Sequence, residues 1–404
     1  MCTNCAPLRQ GEKVELEMLC AHPPDGQCIN CLPSDAIEGR KHLTYQEFLA
    51  KRKAKCEHAF SATCINCMPP SEIRYTLKPG CTKHKPWPLG LCNECQPPPA
   101  TLARQTYRHV DFVEARNLNE VRRFMELWRA GSYTQQRAGF MYGRVEPNPS
   151  YPDGKMAVIE AIYEPPQVCS GEGFLLLPDP KAEVVDRIAA ALGLHKIGWI
   201  FTHFPRSYFL ASEELRQMAR FQLENPMPKS ARSEFVTVVM TAQGEDIVSK
   251  AYQASDVLMA LERDIVLSES KNPEKFKVRE PGPRDILPDI IQNSGPATVS
   301  EFDVEYMMVQ LNDVGTSAAA GPAPVLKHSR FPIENRGDFG ETQSRADLRA
   351  FINAGTSSEP SYETWSDFHA LVYAAEAFDA ETAVSLAKAV ADKTPVGDGI
   401  AALL

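Results

Sequence analysis

Cysteine and histidine recur at fixed spacing in the first quarter of the chain, and this spacing limits what the segment can fold into. The stretches LCAHPPDGQCINCLP and KCEHAFSATCINCMP share the pattern C-x-H-x5-C-x2-C, and GCTKHKPWPLGLCNEC is a looser copy, C-x2-H-x7-C-x2-C. Of the 12 cysteines, 11 lie in residues 1–95, and Cys169 is the exception. The N-terminus has no apolar core, so we expect no secretory signal. Crowded, regularly spaced cysteine and histidine in such a chain indicate metal sites.

Each repeat offers three thiolates and one imidazole, a usual tetrahedral ligand set for structural zinc. A closed shell of four ligands leaves no position for water, so we expect structural zinc, at about three ions per chain. The candidate ligands are Cys20, His22, Cys28 and Cys31 in the first repeat, Cys56, His58, Cys64 and Cys67 in the second, and Cys81, His84, Cys92 and Cys95 in the third.

The pairing of these ligands has two interpretations. Each Cys–His pair can join the Cys-x-x-Cys that follows it, or a RING-like cross-brace can interleave the sets. Local units leave Cys2 and Cys5 without partners, as if they ended a repeat before Met1 in a longer protein, whereas interleaving leaves Cys92 and Cys95 without partners. We favour local units because the repeats coincide with them, and because five residues separate histidine from the next cysteine where a RING has two or three.

A short helix with a basic end is predicted at residues 41–55, KHLTYQEFLAKRKAK, between the first two repeats. Leu43, Phe48 and Leu49 would form its apolar side. The basic residues are Lys51, Arg52, Lys53 and Lys55. They indicate either a solvated helix end or a patch for an acidic partner. Pro97-Pro98-Pro99 then closes the cysteine-rich segment as a stiff connector.

The rest of the chain predicts mixed helix and strand around one sheet. The predicted strands are residues 139–145, 156–164, 196–202 and 235–240, with a further candidate at 304–311. The predicted helices begin at Asn117 (a capping box with Glu120), Asp179 and Ser212, or span residues 255–265, 344–353, 363–378 and 381–392. We expect the last three helices to cover the sheet.

Composition excludes other classes of function. The hydrophobic fraction of 43% and the charged fraction of 24% are ordinary for a globular protein. No window approaches about 18 consecutive apolar residues, so we expect no membrane insertion. Residues 1–105 carry 13 Lys/Arg against 10 Asp/Glu, a balance of +3 that is too weak for a phosphate-driven nucleic-acid binder.

The run IGWIFTHFPRSYFLASEE, residues 197–214, resembles the core of an MPN domain. Active JAMM-type metalloisopeptidases of that fold carry H-x-H, seven residues and S-x-x-D, with a glutamate base from an earlier strand, and so hold a catalytic zinc. The matching positions here are Phe201 and His203, then Ala211 and Glu214, with Gln136 near the place of the base. We therefore expect no hydrolase activity.

More specific strings follow one another along the chain. They are GCTKHKPWPLGLCNECQP, TYRHVD, GFMYG, EAIYEPPQ, DPKAEVVDRIAAALGL with KIGWIFT, SEFVTVVM, FPIENR and SDFH. In this order they resemble the nuclear protein localization protein 4 family over residues 81–375. The resemblance implies an α+β protein: small zinc-knuckle modules, then an MPN (JAB/JAMM-like) α/β sheet domain and a C-terminal helical or mixed domain. The expected ranges are 1–96 for the zinc fingers, 97–105 for the connector, 106–265 for the inactive MPN-like domain and 266–404 for the C-terminal domain.

The resemblance also implies a function. Family members are non-catalytic cofactors that bring polyubiquitin-bearing substrates to the valosin-containing AAA+ ATPase, together with ubiquitin fusion degradation protein 1, for proteasomal or ER-associated degradation. The implied location is the cytoplasm and nucleus, including the cytosolic face of the endoplasmic reticulum and the nuclear envelope. The family's ubiquitin-like domain and its small C-terminal zinc finger are not recognisable here, and the repeats are more numerous than expected. The alternatives are a RING-like ubiquitin ligase and a JAMM-type deubiquitinase.

Overall fold

A computed structural model describes most of the chain outside its N-terminal tenth. The described residues are 42–58, 64, 66–68, 70, 72–148, 153–228, 230, 232–243, 246–283, 285–292, 298–311, 323–354 and 361–396. The predicted zinc ligands Cys20, His22, Cys28 and Cys31 lie outside these residues, as do Cys2 and Cys5.

The described residues form both strands and helices. The strands are β1 (Leu43–Thr44), β2 (Ala100–Leu102), β3 (Tyr107–Arg108), β4 (Phe112–Ala115), β5 (Ala138–Pro147), β6 (Lys155–Tyr163), β7 (Gln167–Cys169), β8 (Phe174–Leu176), β9 (His195–His203), β10 (Val236–Gln243), β11 (Asp246–Ala254), β12 (Leu267–Ser268), β13 (Lys275–Val278), β14 (Ile290–Gln292), β15 (Glu301–Asp303) and β16 (Met308–Gln310). The helices are α1 (Tyr45–Lys53), α2 (Leu118–Ala130), α3 (Ala182–Ala191), α4 (Ser212–Glu224), α5 (Asp256–Arg263), α6 (Arg345–Asn353), α7 (Ser361–Thr364), α8 (Phe368–Ala377) and α9 (Ala380–Asp392). None of these helices is long and apolar enough to cross a membrane. The predicted α+β class is confirmed.

The chain forms two compact units that interleave in sequence. Unit 1 is drawn from Met1–His109, Arg206–Ser233 and Gln253–Leu311, and unit 2 from Val110–Pro205, Glu234–Tyr252 and Asn312–Leu404. The domain ranges expected from the sequence are instead consecutive. Those ranges stay a prediction.

Unit 2 is built on a mixed sheet with the strand order β11-β10-β9-β5-β6-β4. Strand β5 runs antiparallel to β6 and β9, whereas β9 pairs with β10, and β6 with β4, in parallel. Residues 197–203 of β9 are all buried, as expected for a near-continuous apolar run covered on both faces. Gly143 of β5 lies at a bulge, where a Cβ would stand 1.7 Å from the Val158 carbonyl oxygen, so the strands can approach there only without a side chain.

Helices α8 and α9, from the segments predicted to cover the sheet, lie together with α3 on one side of it. Val185 and Ile188 of α3, Phe368 and Leu371 of α8, and Leu386 of α9 belong to one buried apolar cluster. The single helix predicted over residues 363–378 is wrong, because the chain forms α7 and then restarts as α8. Asp367 causes the restart, since its backbone is extended and its carboxylate accepts hydrogen bonds from the backbone N–H groups of His369 and Ala370.

Unit 1 combines α1, α4 and α5 with small sheets. Strands β12, β13 and β15 form one sheet, and the parallel pairs β1–β3 and β2–β14 form two others. Arg216 and Arg220 of α4 both donate to the Glu262 carboxylate of α5, which joins the two helices. The strand predicted over residues 304–311 is only partly right, because Val304–Tyr306 is a 3-10 turn and the strand is confined to β16.

Capping differs from the prediction at α2, and a capping box that was not predicted occurs at α1. Asn117 makes no side-chain cap on α2 and instead donates from Nδ2 to the Glu160 carbonyl oxygen, while Glu120 accepts from the Ile162 N–H. A true capping box occurs at α1, where Thr44 and Glu47 each accept the other's backbone N–H. The side chains that the local pattern assigned to capping α2 therefore bond to distant backbone groups instead.

Candidate metal centres

Cys56, His58, Cys64 and Cys67, which we call finger A, converge at one point of unit 1. Their ligand atoms all lie within 4.8 Å of one another. The Cys56 and Cys64 sulfurs are 3.5 Å apart, and the Cys67 sulfur is 3.9 Å from that of Cys64 and 3.4 Å from His58 Nε2. The turn of the Cys-x-x-Cys pair is closed by the Cys67 N–H, which donates to the Cys64 carbonyl oxygen at 3.2 Å.

Cys81, His84, Cys92 and Cys95, which we call finger B, converge in the same way. The Cys92 sulfur is 3.9 Å from that of Cys81 and 3.5 Å from that of Cys95, and His84 Nε2 is 3.2 Å from the Cys95 sulfur. Nδ1 of His84 lies 2.7 Å from the Lys85 carbonyl oxygen, so the proton belongs on Nδ1 and Nε2 faces the sulfurs.

Both fingers pass a geometric test for zinc. Sulfurs about 2.3 Å from one tetrahedral ion are about 3.8 Å apart, and sulfur and imidazole nitrogen are about 3.5 Å apart. The observed sulfur–sulfur separations of 3.5–3.9 Å and sulfur–nitrogen separations of 3.2 and 3.4 Å fit these values. A disulfide would need about 2.05 Å. The close contacts therefore have the dimensions expected for the edges of a metal tetrahedron.

The pKa values of the finger A thiols also favour binding of a cation. A hydrogen bond from the Cys67 backbone lowers the pKa of Cys64 to about 6, which favours a thiolate there. Desolvation and the neighbouring Cys64 sulfur raise the pKa of Cys56 to about 11. Three thiolates cannot be ionised together without compensation, and a bound dication supplies it.

Helix α1 fixes the start of finger A, because it ends three residues before Cys56. The Phe48 ring stacks on Tyr107 with centroids 4.2 Å apart, and the Arg232 guanidinium lies 4.7 Å from the centre of the Tyr45 ring. Asp256 accepts from the Tyr107 hydroxyl at 2.7 Å and lies 2.8 Å from His109 Nε2. This aromatic and ionic support was not predicted, because no local sequence pattern indicates it.

The segment between the fingers is also held to unit 1. The Arg232 guanidinium donates to the Pro70 carbonyl oxygen at 2.9 Å, and that of Arg263 donates to the Ile73 carbonyl oxygen at 2.6 Å. The Tyr75 N–H donates to Asp264 at 2.6 Å. Beyond finger B, the predicted proline connector leads directly into β2, which pairs with β14. Both ends of each finger are thus attached to the same unit.

The residues at the hydrolase positions are committed to other contacts. Phe201 is fully buried and cannot ligate a metal, and His203 Nδ1 lies 2.6 Å from the Phe204 carbonyl oxygen. Gln136 is buried and donates to the Gly171 carbonyl oxygen, while Glu214 caps α4 by accepting from the Ala211 N–H at 2.7 Å. Among the described residues, fingers A and B are the groups of three or more possible ligands that converge.

A buried ionic network in unit 2 joins three of the sequence strings singled out above, and no sequence pattern predicted it. His369 of SDFH lies between Glu120 and Glu334, 3.2 Å from the first and 2.7 Å from the second. Glu164 of EAIYEPPQ is paired with Arg137, just before GFMYG, and with Arg336 of FPIENR. The strings therefore mark a shared core.

Two family models together match most of the residues of this chain. Residues 137–396 match the family model described as "NPL4 family", and residues 9–132 match the model described as "NPL4 family, putative zinc binding region". The second match contains both fingers. Together with their donor sets, it indicates zinc as the cofactor of this region.

Curated relatives extend across most of the chain. The chain is 34% identical over 398 residues to "Nuclear protein localization protein 4 homolog" of Homo sapiens. That alignment covers 88% of this chain and 63% of the human protein. The Drosophila melanogaster homolog is 34% identical over 396 residues, covering 88% of this chain and 59% of its own length. "Nuclear protein localization protein 4" of Scheffersomyces stipitis is 32% identical over 401 residues, covering 89% and 68%. The chain thus spans about three-fifths of the length of the first two relatives.

Proposed function

The chain belongs to the NPL4 family, and on that premise we propose that it is a non-catalytic adaptor that presents polyubiquitinated substrates to the valosin-containing AAA+ ATPase. Ubiquitin fusion degradation protein 1 would be its partner, and proteasomal or ER-associated degradation the outcome. The proposed location is the cytoplasm and nucleus, including the cytosolic face of the endoplasmic reticulum and the nuclear envelope. The proposed zinc ligands are the four residues of each finger, together with Cys20, His22, Cys28 and Cys31.

The observation that carries this proposal is the apolar surface of the two fingers. Of the ten large apolar side chains that are exposed among the described residues, four belong to this small part of the chain, namely Met68, Trp87, Leu89 and Leu91. Leu89 is the most exposed of the ten, at 76%. Zinc binding supplies folding energy to small modules of this kind, so exposed apolar residues on them can face a partner. We assign this surface to the ATPase.

A second exposed apolar surface supports the ubiquitin half of the proposal. In the hairpin β7–β8, Phe174 packs inward on Trp199 and Phe201, with ring centroids 5.9 and 5.7 Å away. Val168 and Leu175 are directly opposite each other on the other face, and both are more than half exposed. An apolar outer face on a hairpin is typical of a protein-binding site. We assign it to the ubiquitin-bearing substrate.

The absence of catalysis is part of the proposal. A metalloisopeptidase needs an open metal position and a carboxylate base, and Phe201 and Gln136 stand where a ligand and that base would be. A RING-like ligase needs interleaved ligand sets, whereas fingers A and B each draw their ligands from consecutive positions. Both alternatives are therefore less well supported than the adaptor.

Pull-down of the purified full chain with the ATPase and, separately, with polyubiquitin tests this function. Leu89→Ser should weaken ATPase capture at least about tenfold and leave ubiquitin capture unchanged, because a buried apolar anchor typically contributes more than about 1.4 kcal/mol. Val168→Ser with Leu175→Ser should have the reverse effect. Leu118→Ser, at an exposed leucine of α2, is the matched control and should change neither. Failure of the unaltered chain to capture either protein would refute the proposal.

A further inference from the structure

Ile265, which follows α5, has a backbone conformation that its side chain disfavours. Its φ is +55°, in the left-handed region where a Cβ approaches the following carbonyl oxygen and where a β-branched residue is strained. Its side chain is 67% exposed, so burial within this chain offsets little of that strain. Helices commonly end on a residue of this conformation, but glycine or asparagine usually occupies it.

Hydrogen bonds to the backbone fix the conformation whatever side chain is present. The Ile265 N–H donates to the Glu262 carbonyl oxygen at 3.1 Å, and the next N–H, of Val266, donates to that of Leu261 at 2.9 Å. The Arg279 side chain donates to the Ile265 carbonyl oxygen at 2.5 Å. None of these contacts needs an isoleucine. The Ile265 side chain therefore lowers the stability of the fold, and these hydrogen bonds do not depend on it.

Other residues of left-handed conformation in the described residues differ from Ile265. Asn335 tolerates the conformation and uses it, because its carbonyl oxygen accepts from Arg137 at 2.9 Å and its side chain donates to the Glu164 carbonyl oxygen at 2.7 Å. Tyr133 packs its ring edge-on against Trp128, with centroids 4.8 Å apart. Ser132, Asp153 and Lys393 are polar and exposed. Ile265 combines strain, β-branching and exposed apolar surface.

Ile265 follows two residues that contact the segment between the fingers. The two residues before it hold the segment between the fingers, since Asp264 accepts from the Tyr75 N–H and Arg263 donates to the Ile73 carbonyl oxygen, both at 2.6 Å. Ile265 is thus one residue from the anchor of the segment that leads into finger B.

We propose that Ile265 is a contact residue for the same ATPase surface that the fingers bind, and that its strain is retained because an isoleucine is needed there. Strained residues persist where function requires them, and an exposed apolar side chain next to the residues that hold the segment between the fingers is a suitable anchor. The proposal rests on the proposed function of the fingers and adds to it a contact outside the zinc modules.

Substitution at Ile265 should move stability and binding in opposite directions. Ile265→Gly and Ile265→Asn relieve the left-handed strain, so we expect Tm to rise by about 2–4 °C. Both remove the apolar contact, so we expect the Kd for the purified ATPase to rise at least about tenfold. Ile265→Val, the matched control, keeps the strain and the β-branched surface, and should keep both values within error. Calorimetry and biolayer interferometry on the full zinc-loaded chain give the two readouts.

Three outcomes overturn the inference. If the unaltered chain binds the ATPase and Ile265→Asn binds equally well, the residue is not a contact. If Tm falls for both Gly and Asn, the side chain stabilises this chain itself. If sedimentation shows that the unaltered chain self-associates and Ile265→Asn does not, the surface joins two copies of the chain. Failure of the unaltered chain to bind the ATPase would instead refute the proposed function.

Discussion

Nε2 of His369 lies 3.2 Å from the Glu120 carboxylate, although 249 residues separate them in sequence. Both side chains are buried, and Glu334 contacts the other imidazole nitrogen at 2.7 Å. Burial opposes charge on the imidazole, but the carboxylates of Glu334 and Glu120 outweigh it and raise the pKa of His369 well above 6.5. Likewise, burial would raise the pKa of Glu120, but the imidazolium lowers it below 4.5. The core of unit 2 therefore holds an ion triad.

His369→Gln should destabilise the protein by about 3–5 kcal/mol, because two buried carboxylates lose their shared counter-charge. The imidazolium stabilises the fold fully below pH 6.5, and this contribution is lost as pH rises through the raised pKa of the folded state. The carboxylate contribution is present above pH 4.5 and is lost as pH falls through the lowered pKa of Glu120. The destabilisation by His369→Gln should therefore shrink as pH rises above 6.5. Urea unfolding followed by tryptophan fluorescence measures it.

The control for the triad is His195→Gln, at an exposed histidine of β9. This variant should have the same free energy of unfolding as the unaltered protein at each pH. Equal stability of His369→Gln and the unaltered protein at pH 6 would show that the triad does not carry charge.

Cys92→Ser should release one zinc ion, because a hydroxyl cannot replace the thiolate that completes finger B. Elemental analysis of protein purified without chelator should fall from about three ions per chain to about two. Cys169→Ser is the control, since Cys169 lies outside both fingers and should leave the zinc content unchanged. Fewer than two ions in the unaltered protein would contradict the three-finger interpretation.

Polyubiquitin should remain intact on incubation with the zinc-loaded protein. Phe201 cannot ligate a metal, and the amide of Gln136 cannot act as a carboxylate base. Gel analysis over hours, with His203→Ala alongside, checks this prediction. Cleavage that disappears in His203→Ala would restore the deubiquitinase hypothesis.

Asp264→Ala should loosen the segment between the fingers while the zinc content stays the same. The Tyr75 N–H and the Arg263 guanidinium would lose their shared acceptor, and a hydrogen bond to a charged group contributes about 1.5–3 kcal/mol. Limited proteolysis within residues 70–78 should therefore accelerate at least about tenfold. Asp285→Ala, which removes an exposed carboxylate paired with Arg279, is the control. An unchanged cleavage rate would show that the segment is held by other contacts.

What the sequence could reveal depended on how far apart the interacting residues are. The zinc ligands are detectable because Cys64 and Cys67 are three residues apart and their spacing repeats. Helix α9 is detectable because its apolar positions recur at helical spacing and Asp379 precedes it as a cap. Local signals of this kind were sufficient for most helices and for the central strands.

Contacts between distant residues could not be found in this way. Tyr75 and Asp264 are 189 residues apart, and nothing near either one indicates the other. Gln167 is a similar case, because its side-chain amide pairs with both the N–H and the carbonyl oxygen of Ala138, 29 residues away, as a strand would. Strand β11, DIVSKAYQA, pairs with β10 over seven positions but was not predicted. Its polar residues interrupt the apolar pattern by which a strand is recognised.

The basic end of α1 allows two interpretations, and charge substitution distinguishes them. Lys51 and Lys53 lie in the last turn of α1, Lys55 follows it, and all three are exposed. Arg52 lies 5.8 Å from the centre of the Phe48 ring, so it is left unaltered. If these lysines face an acidic surface of the ATPase, replacing all three with glutamate should slow association at low salt at least about tenfold. The effect should fade at about 0.5 M salt, because screening shortens the range of surface charges.

If the lysines only complement the helix dipole, the glutamate variant should instead lower the stability of α1 by about 0.3–1 kcal/mol per site and leave association unchanged. The triple glutamine variant separates the two effects, since it removes the attraction without adding repulsion. Under the docking interpretation it should have an intermediate rate. Lys388→Glu, at an exposed lysine of α9, controls for net charge and should not alter the rate. Equal association rates for all variants at low salt would assign these lysines to the helix end alone and leave docking to the apolar residues of the fingers.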